Sequence, residues 1–329
     1  MIFEDLPTVP TSEELVDQAF SRAARAGRAK SGLEAQQSML LTATNVVSDN
    51  LDNVVTAWPD FDTVDPFYRE LADAIVGADD GGEVADGVDG LRQSLSELTW
   101  ASRQAIALRD EYQPKLRGVD ADLARKHRKQ AFARLADVVE EVDDDLQRLG
   151  AARNDLRDLP DIRPDEPVIV VAGYPNVGKS SFVNAVTRAR NETASYPFTT
   201  EGIGVGHFER EHLRYQIVDT PGLLDRPADE RNAIERQAVS ALEHLADCVL
   251  VVVDASMDCG YPIDVQLELR DDLAATFDAP LLTVCNKADR SREVEADLYT
   301  SVTEDENLDR VLDAAVDAVG YEPELPFDE

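Results

Sequence analysis

Lysine is scarce in this 329-residue chain. Six lysines stand beside 26 arginines, and 66 acidic residues outnumber both together, for a net charge of −34. Cysteine is scarcer still. Cys248, Cys259 and Cys285 are too few and too unevenly placed for a disulfide framework or a zinc site, and reduced thiols of a cytosolic protein are the expectation. There is no run of 18 apolar residues, which excludes a predicted transmembrane helix. The opening Met1-Ile-Phe-Glu-Asp-Leu-Pro7 lacks the basic and apolar regions of a signal peptide. A cytoplasmic location follows as an expectation, with neither membrane nor DNA as a partner. The four histidines, His127, His207, His212 and His244, show no ligand spacing, so none is assigned chemistry.

The acidity is spread along the whole chain instead of being gathered in one block. Such self-repulsion opposes a compact state in ordinary buffer, and at ~1 M salt the Debye length falls to roughly 3 Å and screens it. The charge therefore reads as adaptation to a salt-loaded, halophile cytosol. Against that background two basic spans stand out. Arg22, Arg25, Arg28 and Lys30 occur together without an acid, and Lys115, Arg117, Arg125, Lys126, Arg128, Lys129 and Arg134 face only Asp120 and Asp122 across their span. An anionic partner, RNA phosphate, is the expectation for these residues.

Residues 1–160 read as an all-α helical bundle. Thr11 and Glu14 form a capping box, and helices are expected over about 11–30, 33–58, 66–71, 90–112 and 120–157. In the last of these, Phe132, Leu135, Val139, Val142, Leu146 and Leu149 recur at spacings of 3 and 4, a bundle seam. A proline-rich linker at 161–167 leads to residues 168–329, where strand and helix alternate. That alternation predicts an α/β domain with a six-stranded, mostly parallel sheet. Its strands fall over 168–172, 203–208, 213–218, 248–253, 281–285 and 298–302, the second and third forming an antiparallel hairpin. Helices are expected over 229–246, 264–277 and 308–319.

The chemistry lies in the second half. Gly173-Tyr-Pro175-Asn176-Val177-Gly178-Lys179-Ser180 fits G-x-x-x-x-G-K-[ST] between an apolar strand and a helix. Its backbone amides and the helix N-terminus suit a phosphate chain, Lys179 reaches the β/γ-phosphates, and Ser180 offers a hydroxyl to Mg²⁺. Asp219-Thr-Pro-Gly222 ends another strand. Asp219 is placed to hold Mg²⁺ through water, and Gly222 to bring an N–H to the γ-phosphate. Asn286-Lys287-Ala-Asp289 follows a third strand, and N-K-x-D reads guanine: the Asp289 carboxylate accepts from N1 and N2, which adenine cannot supply. Asn286 either braces the loop or touches the base, and the Lys287 stem covers a ring face. Ser301 and Val302 complete the base end, Ser301 through its backbone N–H or simply as a strand end. Pro175, Val177 and Ser181 complete the phosphate end. In Tyr196-Pro-Phe-Thr-Thr200, Thr200 is the expected Mg²⁺ and γ-phosphate ligand, with Thr199 as the fallback. Lys179, Thr200 and Gly222 form the expected catalytic set. Leu223 stands where Ras-type enzymes carry the glutamine that orients water, so slow or assisted hydrolysis is expected. Asn176 resembles the asparagine with which potassium-activated GTPases hold K⁺ against the phosphates; its other reading is that it only shapes the loop.

The combination of 172–181, Tyr196-Pro-Phe-Thr-Thr200, Val205-Gly-His-Phe208 and Asp219-Thr-Pro-Gly-Leu-Leu-Asp-Arg-Pro227 resembles the nucleolar GTP-binding protein (Nog) family within the Obg-related GTPases. Pro7-Thr-Val-Pro-Thr-Ser12 and Pro66-Phe-Tyr-Arg-Glu-Leu71 are similar to that family's helical N-terminal domain. The resemblance implies a GTPase switch in large ribosomal subunit assembly, with ribosomal RNA as a contact. The chain stops short of the long C-terminal extension that eukaryotic members carry, and its acidity points to a haloarchaeal member. Two rival expectations remain: a GTP/GDP-sensing binding module with negligible turnover, and a tRNA-modifying or metabolic GTPase.

Overall fold

A computed structural model describes residues 2–77, 86–157, 162–163, 166–187, 192–194, 203–220, 223–226, 231 and 233–321. The chain divides into two compact units, one built from Ile2–Thr63 and Asp86–Arg157, the other from a segment beginning at Val64 and from the chain after Asp158.

The first unit is helical. α1 (Ser12–Arg28) starts at the expected capping box: Glu14 N–H donates to Thr11 Oγ1 at 3.2 Å, and Thr11 N–H to Glu14 Oε2 at 2.9 Å. α2 (Gly32–Ala57) packs against α1, against α4 (Gly87–Lys115) and against α5 (Ala121–Glu141), and α4 also meets α6 (Asp143–Arg157). Leu40, Val47, Leu51, Leu91, Leu98, Leu135, Val139 and Leu149 form its buried interior. The single helix expected over 120–157 is two. Val142 leaves helical geometry at φ −106°, ψ 19°, and Asp143 at the restart accepts a hydrogen bond from Ser12 Oγ at 2.5 Å. The apolar seam runs on through the break, with Leu135, Val139, Val142, Leu146 and Leu149 all buried.

α3 (Pro66–Val76) belongs to the other unit, although its sequence sits among the bundle helices. Asp65 caps it by accepting from Phe67 N–H at 2.9 Å. It packs on α8 (Ala233–Leu245), where Glu70 Oε1 lies 3.1 Å from His244 Nε2. Tyr68 donates its hydroxyl to the carbonyl of Ile162, which is itself fully buried.

The remaining chain forms a seven-stranded sheet in the order β2-β3-β4-β1-β5-β6-β7. The six expected strands are β1 (Val168–Ala172), β3 (Ile203–Arg210), β4 (Leu213–Asp219), β5 (Cys248–Asp254), β6 (Leu281–Asn286) and β7 (Leu298–Tyr299), and a three-residue β2 (Glu192–Ala194) extends one edge. β1 pairs in parallel with β4 and β5, and the parallel run continues through β6 to β7, while β2–β3 and β3–β4 are antiparallel. Every residue of β1 and β5 is buried, the continuous apolar pattern of strands covered on both faces. α7 (Lys179–Val186), α8, α9 (Ile263–Thr276) and α10 (Leu308–Val319) complete the unit. β1 is flanked by β4 on one side and β5 on the other, so the strand order diverges beside it. In open parallel sheets, ligands bind outside the carboxyl ends of the strands at such a point.

All three cysteines are free thiols and buried, and burial, reinforced by Asp247, pushes Cys248 up to about 12. No described helix is long and apolar enough to cross a membrane.

The excess of 66 acids over 32 bases sets a salt prediction. Raising KCl from about 0.1 M to about 1 M shortens the Debye length from ~10 to ~3 Å, so the thermal midpoint should climb with salt. A circular-dichroism melting series checks this, and a midpoint that stays flat or falls would contradict it.

Candidate nucleotide site

Four strand ends converge. β1 runs into the loop 173–178, β4 ends at Asp219, β5 at Asp254 and β6 at Asn286. The loop is shaped by backbone that side chains resist. Gly173 has φ +133°, and a Cβ there would overlap the carbonyl of Val252. Gly178 has φ +106°, and a Cβ there would overlap the Asn286 amide. Between them Asn176 takes a left-handed φ of 63°. The loop's first N–H, from Gly173, donates to Leu224 O at 3.0 Å, and the carbonyl of Gly178 accepts the first bond of α7, from Phe182 N–H at 2.9 Å. Lys179 is buried with Nζ 2.6 Å from Gly173 O and 3.1 Å from Tyr174 O, so its ammonium stands inside the loop. Ser180 and Ser181 are exposed at the start of α7, whose N-terminal amides and dipole favour an anion.

The base-reading loop is joined to this cradle. Asn286 is 4% exposed, donates Nδ2–H to Val177 O at 2.8 Å and accepts from Val302 N–H at 3.4 Å. Both ends of its amide are engaged, so it braces the loop, one of the two readings its motif allowed. Lys287 donates to Asn176 O at 3.0 Å and to Asp254 Oδ2 at 2.6 Å. Asp289 stands clear, its carboxylate 29% exposed and 3.9 Å from Arg290 Nε. That leaves its oxygens open to a pair of base N–H donors.

Asp219 is buried at the end of β4, and Thr220 next to it donates its hydroxyl to Val171 O at 3.0 Å. Leu223 and Leu224 are both fully buried. No cluster of three His, Cys, Asp or Glu side chains able to hold a metal occurs among the described residues. The hydroxyl of Ser180 and the carboxylate of Asp219 are the kind of oxygen donors that Mg²⁺ takes in small number beside waters and phosphate oxygens, so these residues fit that ion. A cleft of about 400 Å³ lies elsewhere, among Val186, Phe208, Arg214, Leu308 and Leu312. Arg210 on its rim is bound to Asp309 and Asp313, so its charge is neutralised within the fold.

In the helical unit the two basic spans come together. Phe20 of α1 stacks on Phe132 of α5 with ring centroids 4.5 Å apart. Arg22, Arg25, Arg28 and Lys30 are exposed, as are Lys115, Arg117, Arg125, Lys126, Lys129 and Arg134. Several charges are already answered: Lys30 pairs with Glu34, Lys115 and Arg134 with Glu111, and Arg125 with Asp122. Arg128 is half-buried over Phe132 and donates to Gln36 Oε1 at 2.8 Å, which ties it to the bundle. Lys126 and Lys129 carry no ion pair among the described residues and line a shallow depression with Arg125 and Gln130.

Residues 3–163 match the family described as the NOG1 N-terminal helical domain, and residues 168–287 the family described as 50S ribosome-binding GTPase. The chain is 36% identical over 297 residues to an uncharacterized protein of Methanocaldococcus jannaschii, covering 87% of this chain and 81% of that one. It is 34% identical over 279 residues to nucleolar GTP-binding protein 1 of Drosophila melanogaster. The chain is a homologue of nucleolar GTP-binding protein 1 and carries that family's N-terminal helical domain. The Saccharomyces cerevisiae relative of that name is 30% identical over 318 residues. This homologue spans 41% of the Drosophila protein and 47% of the yeast one. A crystal structure named for nucleolar GTP-binding protein 1 from Plasmodium falciparum aligns at 32% identity over 49% of this chain and 90% of that one, with a TM-score of 0.45. The second matched region, 168–287, is a GTPase domain and lies in the sheet unit.

Thr199, Thr200 and Gly222 lie outside the described residues. The Ser301 backbone N–H donates to Glu306 O at 3.2 Å, closing a bridge in which Glu306 N–H returns to Ser301 O at 2.9 Å, which favours the strand-end reading of this residue. The turn after β7 consumes the donor that the sequence left open. Sequence reasoning also passed over Asp254. The signal was present, since it ends an apolar strand as Asp219 and Asn286 do.

The Gly178→Ala variant should lose more than ten-fold in guanine-nucleotide affinity, because a left-handed alanine costs about 1–2 kcal/mol before its methyl displaces the Asn286 amide. Isothermal titration measures it, and unchanged affinity would contradict the geometry described.

Proposed function

We propose that this protein is a GTP-hydrolysing switch acting in assembly of the large ribosomal subunit. The observation that carries the reading is the fusion of the phosphate cradle with the guanine-reading loop through Asn286 and Val177, in a chain whose α1 and α5 carry exposed cations side by side. Lys179 answers the β/γ-phosphates, Ser180, Thr200 and Asp219 hold Mg²⁺, and Asp289 selects guanine. Thr200 and Gly222 respond to the γ-phosphate, which makes nucleotide state the signal. The exposed cations of the helical domain meet ribosomal RNA, in keeping with the relatives' names and with the description of the second family. We place the protein in the cytoplasm of a halophilic, high-salt cell, as its charge suggests.

Leu223 is buried and apolar, so no side chain at that position orients the attacking water. Hydrolysis is then slow until assisted. Asn176 favours K⁺ as one aid: its side chain is exposed on the phosphate loop at a left-handed φ of 63°. A K⁺ ion held there would add positive charge beside the transferred phosphoryl group. Leu223 equally favours the second reading, a GTP/GDP-sensing module with negligible turnover.

Two measurements test these points. GTP turnover should rise several-fold when K⁺ replaces Na⁺ at equal ionic strength, an increase that Asn176→Ala removes; equal rates in both salts would exclude the K⁺ role. Large ribosomal subunits should stimulate turnover and co-sediment with the protein at high KCl in the presence of a GTP analogue. Charge reversal at Lys126 and Lys129 should weaken that association at least about ten-fold, in line with loss of phosphate contacts. Turnover that stays negligible with subunits present supports the sensor. Association untouched by the reversal would contradict the basic face as the docking surface.

A further inference from the structure

Asp254 has no place in the phosphate, magnesium or base-reading sets, yet it is fully buried at the carboxyl end of β5, between the two loops that make the pocket. Its carboxylate accepts four hydrogen bonds. Oδ1 takes Ser256 N–H at 2.9 Å and Ser256 Oγ at 2.5 Å. Oδ2 takes Cys259 N–H at 3.0 Å and Lys287 Nζ at 2.6 Å. Its own backbone is clamped by Gln266, which accepts from the Asp254 N–H at 2.8 Å and donates to the Asp254 carbonyl at 3.2 Å. Gln266 also donates to Tyr261 O at 2.8 Å, fixing the far end of the same loop.

Two links run from this cluster to the phosphate loop. Lys287 donates onward to Asn176 O at 3.0 Å, at the residue where the loop turns left-handed. Lys287 is itself held at a φ of 54°, a conformation that an L-residue keeps only when its surroundings impose it. The loop after Asp254 carries Tyr261, whose ring lies 4.4 Å from that of Tyr174 in the phosphate loop. Asp254 thus grips the lysine of the base-reading motif with one oxygen and shapes a loop that rests on the phosphate cradle with both.

We propose that Asp254 is a positioning residue that sets how long the pocket retains its nucleotide, by holding Lys287 against the Asn176 carbonyl and Tyr261 against Tyr174. It touches neither the nucleotide nor a metal and acts only through these side chains. Burial alone would raise this carboxyl, but hydrogen bonds from Lys287 and Ser256, with the Lys287 charge, outweigh that and keep it below the ordinary carboxylate range. The carboxylate is therefore charged throughout the neutral range. The inference rests on reading this pocket as a guanine-nucleotide site.

The test is a release assay with a fluorescent GDP on the full chain at high KCl. Asp254→Asn keeps the shape and removes the charge, and it should speed release about ten-fold or more, the effect of losing a charge-assisted hydrogen bond, with little change in the association rate. Lys287→Met should speed release as well, and the double variant should fall well short of the product of the two single effects, because the Asp254–Lys287 bond is common to both. A purely structural role would instead give effects that multiply and follow the loss in thermal midpoint of the nucleotide-free protein. Ser256→Ala, which loosens the carboxylate without deleting it, should accelerate release by a smaller factor and supplies the answer if Asp254→Asn does not fold. Release from Asp254→Asn at the wild-type rate, or multiplying effects in the double variant, overturns the proposal. Wild-type protein that retains no GDP would instead overturn the reading of the site.

Discussion

The hydrogen bond from Asn286 to the carbonyl of Val177 is the constraint on which the pocket depends. It spans from the end of β6 to the loop after β1, and it fills the space beside Gly178 where a side chain would otherwise stand. The phosphate end and the base end are therefore one structure. Lys287 adds a parallel tie to the neighbouring carbonyl of Asn176. An amide buried with both ends paired costs little, whereas the same group left unpaired costs about 1–3 kcal/mol. The pairing thus acts as a specification: it fixes the phosphate loop and the Asn286–Asp289 loop against each other.

Beneath that tie is a sheet that cannot shift. β1 and β5 are buried along their full length and hydrogen-bonded to each other, so the three strand ends at Ala172, Asp254 and Asn286 hold fixed spacing through β5 and β6. Burying a valine or isoleucine side chain contributes about 1.5–3 kcal/mol, and Val168-Ile-Val-Val171 alone supplies four. The strained turns at Asn176 and Lys287 are carried by this rigid support. Side chains at the strand ends inherit that fixed spacing, and Asp219, Asp254 and Asn286 stand there.

Much of this was legible in the chain, and the reasons are local. Apolar strands bounded by Gly, Pro and Asp gave the six principal strands, and Thr11 with Glu14 gave the start of α1 because a capping box is satisfied within four residues. The phosphate loop was legible because its glycines answer a backbone requirement that few other loops have. What was not legible depends on contacts distant in sequence. The break at Val142 leaves the apolar seam in register, so periodicity runs through it unmarked, and Ser12, which meets Asp143, is 131 residues away. The helix Pro66–Val76 reads as one more amphipathic bundle helix, yet its partner is α8, and nothing in its pattern says so. The bridge between Ser301 and Glu306, which engages the Ser301 N–H, has a geometry that no motif encodes. Asp254 was hidden because one acid among 66 attracts no notice until its four donors are seen.

The central claim is that one pocket holds a phosphate chain and tests for guanine. Equilibrium binding of labelled GDP and ADP to the purified protein, at high KCl with Mg²⁺ present, tests it most directly. The account predicts that GDP binds and that ADP binds at least about 1,000-fold more weakly, since a site built for the base's N–H donors leaves its carboxylate unpaired against adenine. Equal affinity for the two nucleotides, or binding of neither, would contradict it.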